Sequence, residues 1–276
     1  MGTFPPATFP PPQPFIVETD VDATAWIDEG LLPFRGQSEG VLVGEIVPSG
    51  FEAYARLFHP ARRDFGPSIE QSTPLRWSEI AAARGKTVHP EMQIERLMDN
   101  RDPFDYDHWT ALSSGGGEWF PPRECLEETE ALALAGLLRP FTATPDQAWF
   151  MLWDGYGDLG RDIDSVPRAF IHPDRSDAPV GELLNGTRAL RHYLVFRGPL
   201  DALTTWFRWR MEGPNYWWPD DRAWIVASEI DGFSPYVGAS RSCIEGVLAS
   251  PLLEALPTVL NQRFDVWGDT INGPPE

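Results

Sequence analysis

The chain has 276 residues, 42% of them hydrophobic, enough for one large domain or two small ones around a real core. Its formal net charge is −19 and its pI near 4.6. That field opposes unspecific binding to nucleic acid or to an anionic membrane and suits a basic partner. Twenty-one of the 22 basic residues are arginine, scattered along the chain, with Lys86 the only lysine.

Residues 1–14, MGTFPPATFPPPQP, are proline-rich and uncharged, and read as a disordered or polyproline II tail. Ile16-Val17 starts a strand, and an irregular acidic segment follows with Trp26-Ile27 and Leu31-Leu32 as packing contacts. Val41–Val47 reads as a strand ended by Pro48-Ser49-Gly50, and Phe51–His59 as its hairpin partner. Alternation puts Phe51, Ala53, Ala55 and Leu57 on one face, and Glu52, Tyr54, Arg56 and Phe58 on the other. Arg76–Ala83 is a short helix stopped at Gly85, and His89-Pro90 opens a helix over Glu91–Met98. Residues 99–122 form a long loop of the kind that carries function or is disordered.

Arg123–Arg139 carries the clearest helical pattern, with Leu126, Leu134, Leu137 and Leu138 among its apolar positions, and Pro140 ends it. Ala148–Trp153 reads as a buried strand leading into an Asp-Gly turn, and residues 160–188 as a polar loop. His192–Phe196 is a central strand broken by Gly198-Pro199, with a helix from Leu200 to Trp209. Trp217-Trp218-Pro219 forms a rigid apolar corner before Asp220, Asp221 and Arg222. Ala223–Ile230 is then a strand, Asp231-Gly232 a turn and Tyr236-Val237 a returning strand. Ser240 caps a helix that buries Ile244, Val247 and Leu248. Asn261–Glu276 reads as a loose tail. Hairpins at both ends imply an α+β fold, a mixed or antiparallel sheet with helices packed on it, in one domain spanning 15–276.

No phosphate-binding glycine loop, dinucleotide fingerprint, GxSxG elbow, HExxH or CxxC is present, so neither a cofactor nor a metal is expected. Three of the five histidines precede proline, as His59-Pro60, His89-Pro90 and His172-Pro173, where X-Pro marks an element boundary. A metal site would need His59 and His89 to meet an acid such as Glu91. Cys125 and Cys243 fall on different helices and read as two buried thiols, with a disulfide as the alternative. The N-terminus lacks the basic start and apolar run of a signal peptide, and no stretch approaches a membrane span, so a cytoplasmic protein is the expectation.

The stretch from Pro214 to Ile244 has the densest aromatic content. One reading is a core hairpin with solvated acids. The sharper one is a groove walled by Trp217 and Trp218, with Asp220, Asp221, Arg222 and Glu229 as its polar groups. Asp154 and Tyr156, just after a buried strand, sit where functional loops occur, or simply form a turn. Tyr54, Arg56 and His59 share a strand end and suit an anionic or polar ligand, against the alternative of a solvated strand face.

The segments VPSGFEAYARLFHPA (47–61), LRWSEIAAARGKTVHPEMQ (75–93), TPDQAWFMLWDGYG (144–157) and NYWWPDDRAWIVASEIDGFSPYVGAS (215–240) resemble a widespread family of uncharacterised actinobacterial proteins. That resemblance implies no catalytic residue. A helix leading to a Trp-rich strand and Gly turn, and the closing acidic strand, turn, short strand and helix, are similar to the SUKH superfamily. Many SUKH members look like immunity proteins against secreted toxins, which implies a protein-binding role. The expectation is therefore a non-catalytic acidic binding protein engaging a basic protein partner. The alternatives are a carboxylate-dependent hydrolase using Asp154, Asp220, Asp221 and Glu229 with His59 as base, or a small-ligand or sugar binder stacking on Trp217 and Trp218.

Overall fold

In a computed structural model the described residues are 9–33, 40–64, 72–98, 118–120, 122, 125–156, 159, 163–171, 191–230 and 232–273. The main sheet has nine strands. They are β1 (Ile16–Val17), β2 (Ala53–Leu57), β6 (Ala148–Trp153), β7 (Ala169–Ile171), β8 (Arg191–Gly198), β9 (Tyr216–Pro219), β10 (Trp224–Ser228), β11 (Pro235–Ala239) and β12 (Ala255–Thr258). Their order is β1-β8-β6-β9-β10-β11-β2-β12, with β7 also on β8, and every pairing is antiparallel. A second sheet joins β4 (Thr73–Leu75), β3 (Ala61–Asp64) and β5 (Glu118–Phe120), in that order. The α+β class is as expected, and the sheet is antiparallel rather than mixed.

The central strands are apolar on both faces, so the sheet has to be covered on both. Phe150, Leu152, Leu194, Phe196, Trp217 and Trp224 face the first core. Helices α4 (Glu128–Leu138), α5 (Leu203–Trp209) and α6 (Arg241–Leu248) supply the rest of it. Trp149, Met151, Tyr193, Val195, Tyr216 and Trp218 face the opposite core. That side is closed by α1 (Ala25–Gly30), the 41–47 segment and Phe264. A third core joins Phe58, at the end of β2, to α2 (Trp77–Arg84) and α3 (Ile94–Leu97).

Several expected elements differ. Val41–Val47 is not a strand: Val43, Ile46 and Val47 are all buried, and their 3–4 spacing suits the short 3-10 turn at Val43–Glu45. The Trp217-Trp218 corner is instead the central strand β9, and β3, β4, β5, β7 and β12 were not anticipated. The helix expected over Glu91–Met98 shrinks to Ile94–Leu97. Of the Pro-rich segment, Phe9 packs against the first core and Pro11 is buried, while Pro10, Gln13 and Pro14 are exposed; residues 1–8 lie outside the described set. The loose tail is also corrected, since Asp269 and Asn272 are buried. Ser240 caps α6 as expected, its hydroxyl accepting from the Cys243 N–H at 3.4 Å. Gly85 stops α2 in the left-handed region at φ 64°. Most of the 99–122 loop, His108 and His172 lie outside the described residues.

Cys243 lies in the first core and Cys125 is half-buried, and no disulfide joins them. Burial pushes the Cys243 thiol from 9.0 up to about 11. The folded chain therefore holds this proton more tightly than the unfolded one. The associated stability is full below about 9 and is lost as pH rises toward about 11. A thiol reagent at pH 8 is expected to leave Cys243 unmodified until denaturant is added. Rapid native labelling at Cys243, read by mass spectrometry, would contradict its burial.

Candidate functional site

Antiparallel register sorts the expected site residues between two ends of the main sheet. Asp220, Asp221 and Arg222 lie in the β9–β10 turn. Asp154 follows β6 and Glu229 follows β10, at the other end, one strand length or roughly 15–20 Å away. The carboxylates therefore do not meet in one pocket. Trp217 and Trp218 are 0% and 1% exposed and point into opposite cores. Trp217 packs edge-on against Trp224, and Trp218 stacks with Trp149. They are not two walls of a groove.

At the first end the acids hold the fold. Asp220 accepts from the Trp149 indole N–H at 2.9 Å, and Arg197 lies 3.7 Å away. Asp221 accepts from the Thr142 hydroxyl at 2.9 Å and from the Ala143 N–H at 2.7 Å, fixing the 142–144 loop. Arg222, at φ 55°, lays its guanidinium 5.1 Å from the Trp26 ring centre. At the other end Asp154 accepts from Arg168 and Glu229 from Arg191, each at 2.9 Å, with His192 4.0 Å from Asp154. Tyr156, whose phenol is held well above its ordinary range by burial, lies 3.5 Å from the Asn215 amide.

The expected trio Tyr54, Arg56 and His59 also divides. Tyr54 turns into the second core, and its hydroxyl donates to the Pro48 carbonyl. Arg56 is a buried cation that donates to Ser234 Oγ, to the Pro90 and Met92 carbonyls and to Gln93 Oε1. Burial draws its pKa down, against the favourable fields of Tyr236, Glu95, Asp269 and Glu91. Beside it, Asp269 accepts from His89 Nε2 at 2.9 Å and from the Gln93 and Asn272 N–H groups. His89 Nε2 thus carries the proton, and the Asn272 amide donates to Thr87 O and Asp269 Oδ2. This network clamps the C-terminal segment onto residues 87–93. His89 pairs with Asp269 while His59 faces Glu130, and no cluster of three metal-ligating side chains exists among the described residues.

His59 stands apart. It occupies the His59-Pro60 corner where the chain leaves β2 for β3, and it is 2% exposed. Neither ring nitrogen has a hydrogen-bond partner, nor does Oε2 of Glu130. The two groups face each other, Nδ1 to Oε2, at 3.7 Å, beyond hydrogen-bond reach. Glu130 in turn lines a cavity of about 400 Å³ between the small sheet, the starts of α2 and α4, and the turn before β12. That size falls within the usual range of ligand sites.

Four carboxylates, Glu79, Glu127, Glu130 and Glu254, line this cavity against two guanidiniums, Arg62 and Arg76. Three of the four acids are committed. Glu127 pairs with Arg62. Glu254 accepts from the Trp77 and Ser78 N–H groups at 2.6 and 2.7 Å, neutralising the start of α2. Glu79 accepts from the Arg76 N–H at 2.8 Å. Arg76 reaches the Pro251 carbonyl. Glu130 lines the cavity, but its Oε2 is sealed from solvent, accepts no hydrogen bond and faces the His59 ring at 3.7 Å. Glu130 was not among the partners expected of His59, because the two lie 71 positions apart and no local signal joins them.

Searches of protein-family models, of curated proteins and of solved structures return no match to this chain.

Unpaired buried polar groups cost stability, of order 1–3 kcal/mol each. Replacing His59 by leucine removes two such atoms and breaks no side-chain hydrogen bond. The His59→Leu variant is therefore expected to be as stable as the wild type, within about 1 kcal/mol, or more stable, in urea unfolding. A loss above about 2 kcal/mol would make His59 a structural residue.

Proposed function

We propose that this is a non-catalytic acidic binding protein, immunity-like in kind, that engages a basic protein partner through the cavity at Glu130. The observation carrying this reading is the cavity itself, whose lining carboxylates outnumber guanidiniums four to two. The net charge of −19 supports it, because an acidic surface speeds encounter with a basic partner and rejects acidic ones. The resemblance to SUKH proteins points the same way. The binding surface lies away from the Trp217–Asp221 stretch, whose side chains are spent on packing and loop fixing. No described helix is long and apolar enough to cross a membrane.

A carboxylate-dependent hydrolase is the second reading, favoured by the 3.7 Å approach of His59 to Glu130 at the cavity wall. A His–carboxylate pair is a general acid–base device when a substrate proton lies within reach. The sugar-binding reading loses its stacking platform, because Trp217 and Trp218 are buried.

Affinity capture from host lysate at low and high salt, with identification of the retained proteins, separates these readings. The binding reading expects a basic protein retained at low salt and released at high salt. Absence of any basic protein under both conditions, together with hydrolysis of an ester panel that is lost in His59→Ala, would replace it with the hydrolase.

A further inference from the structure

We propose that Asn272 is a deamidation site, and that its conversion to a carboxylate irreversibly releases residues 269–272 from residues 87–93. The inference is independent of the binding reading. Asparagine is a thermolabile residue. Here it is followed by Gly273, which has no side chain to shield its own backbone nitrogen, and a Cβ built there would meet no atom within 4 Å. That nitrogen is the nucleophile. It attacks Asn272 Cγ and gives up its proton; the Cγ–Nδ2 bond breaks and ammonia leaves, closing a succinimide. Water then opens the ring. Addition at Cγ gives aspartate, and addition at the backbone carbonyl gives isoaspartate. Water enters, ammonia leaves, and no oxidation state changes.

The hydrogen bonds of the closed segment decide when this happens. Asn272 Oδ1 accepts from the Thr87 N–H at 2.8 Å, and Nδ2 donates to Thr87 O at 3.0 Å and to Asp269 Oδ2 at 3.1 Å. The Asn272 N–H donates to Asp269 Oδ1 at 2.9 Å. These bonds have to break before Cγ can turn to the next nitrogen, so reaction waits on local opening. Opening gives up little apolar contact. Trp267, Thr270 and Ile271 are exposed, and the polar side chains of Asp269 and Asn272 are the buried ones.

The product does not fit back. Aspartate at position 272 has no amide N–H to give, so Thr87 O loses a donor and Asp269 Oδ2 meets a second carboxylate. His89 Nε2 stands 3.2 Å from the same nitrogen, but its proton is committed to Asp269. Arg56, whose field reaches Asp269, already spends its guanidinium on Ser234, Pro90, Met92 and Gln93. Isoaspartate also lengthens the backbone at this point. An opening that ends in reaction is therefore final.

Ageing at pH 8 tests this, with the tryptic peptide 264–276 followed by mass spectrometry. Folded wild type is expected to gain the mass of an NH2-to-OH exchange on this peptide, at least tenfold more slowly than in urea. In urea, Gly273→Ala is expected to slow the reaction at least tenfold, because a methyl group crowds the attacking nitrogen. The Asn185-Gly186 pair lies outside the described residues and is scored on its own peptide. The aged form, separated by its extra charge, and Asn272→Asp are then compared with fresh protein by amide hydrogen exchange. The Thr87 and Gln93 N–H groups, which donate to Asn272 and Asp269, are expected to exchange at least tenfold faster in both, with those of β6 and β8 unchanged. If β6 and β8 show that Asn272→Asp misfolds, the aged form decides alone. No reaction at the 264–276 peptide of the folded protein would overturn the site. Reaction with Thr87 and Gln93 still protected would overturn the release.

Discussion

Everything in this molecule depends on a sheet that is apolar on both faces. Side chains along a strand alternate, so β9 sends Trp217 to one side and Trp218 to the other, and β6 does the same with Phe150 and Trp149. Neither face can be left to water. The first face takes three helices, centred on Trp206, which meets Phe15, Phe150, Phe196 and Trp209. The second takes loops and short helical turns from the first 47 residues and the segment around Phe264. An irregular cover must find partners for its own backbone. The Tyr216 hydroxyl does part of this by donating to the Ile46 carbonyl.

The polar side chains follow from that covering. Asp221, Asp220 and Glu229 tie loops to strand ends, and Asp269, beside the buried Arg56, holds residues 269–272 against residues 87–93. Removing one partner from such a buried group leaves the other desolvated and unpaired, which is why these positions are stability residues first. His59 and Glu130 break the pattern. They are buried and opposed at 3.7 Å without a hydrogen bond, as Glu95 Oε2 is also buried without one, and what sets the pair apart is the cavity that Glu130 lines.

Much of the fold was legible wherever one short-range signal governed. The strands at 148–153, 192–196 and 224–228, the stop at Gly85 and the Ser240 cap all follow from apolar runs, β-propensity, turn chemistry or capping. The elements that were missed depend on pairing across long sequence separations. Trp217-Trp218 ends in proline and looks like a corner, yet β6 and β10 flank it and make it a strand. Pro257 sits in β12, at the sheet's edge, where proline weakens the local strand signal. The site was least legible of all. His59 and Glu130 are 71 positions apart, and only the corner into the small sheet and the start of α4 bring them together. The aromatic stretch drew attention through composition, but large aromatics in a two-faced sheet are packing material first.

The central claim is that binding resides at Glu130 and not in the Trp217–Asp221 stretch, and charge reversal at the two places tests it most directly. Retention of a basic protein at low salt would be compared between Glu130→Lys and the double variant Asp220→Lys/Asp221→Lys, with folding of each confirmed by circular dichroism. The account predicts that retention is lost in Glu130→Lys and kept in the double variant. Retention kept in Glu130→Lys and lost in the double variant would contradict it and return the site to the aromatic stretch.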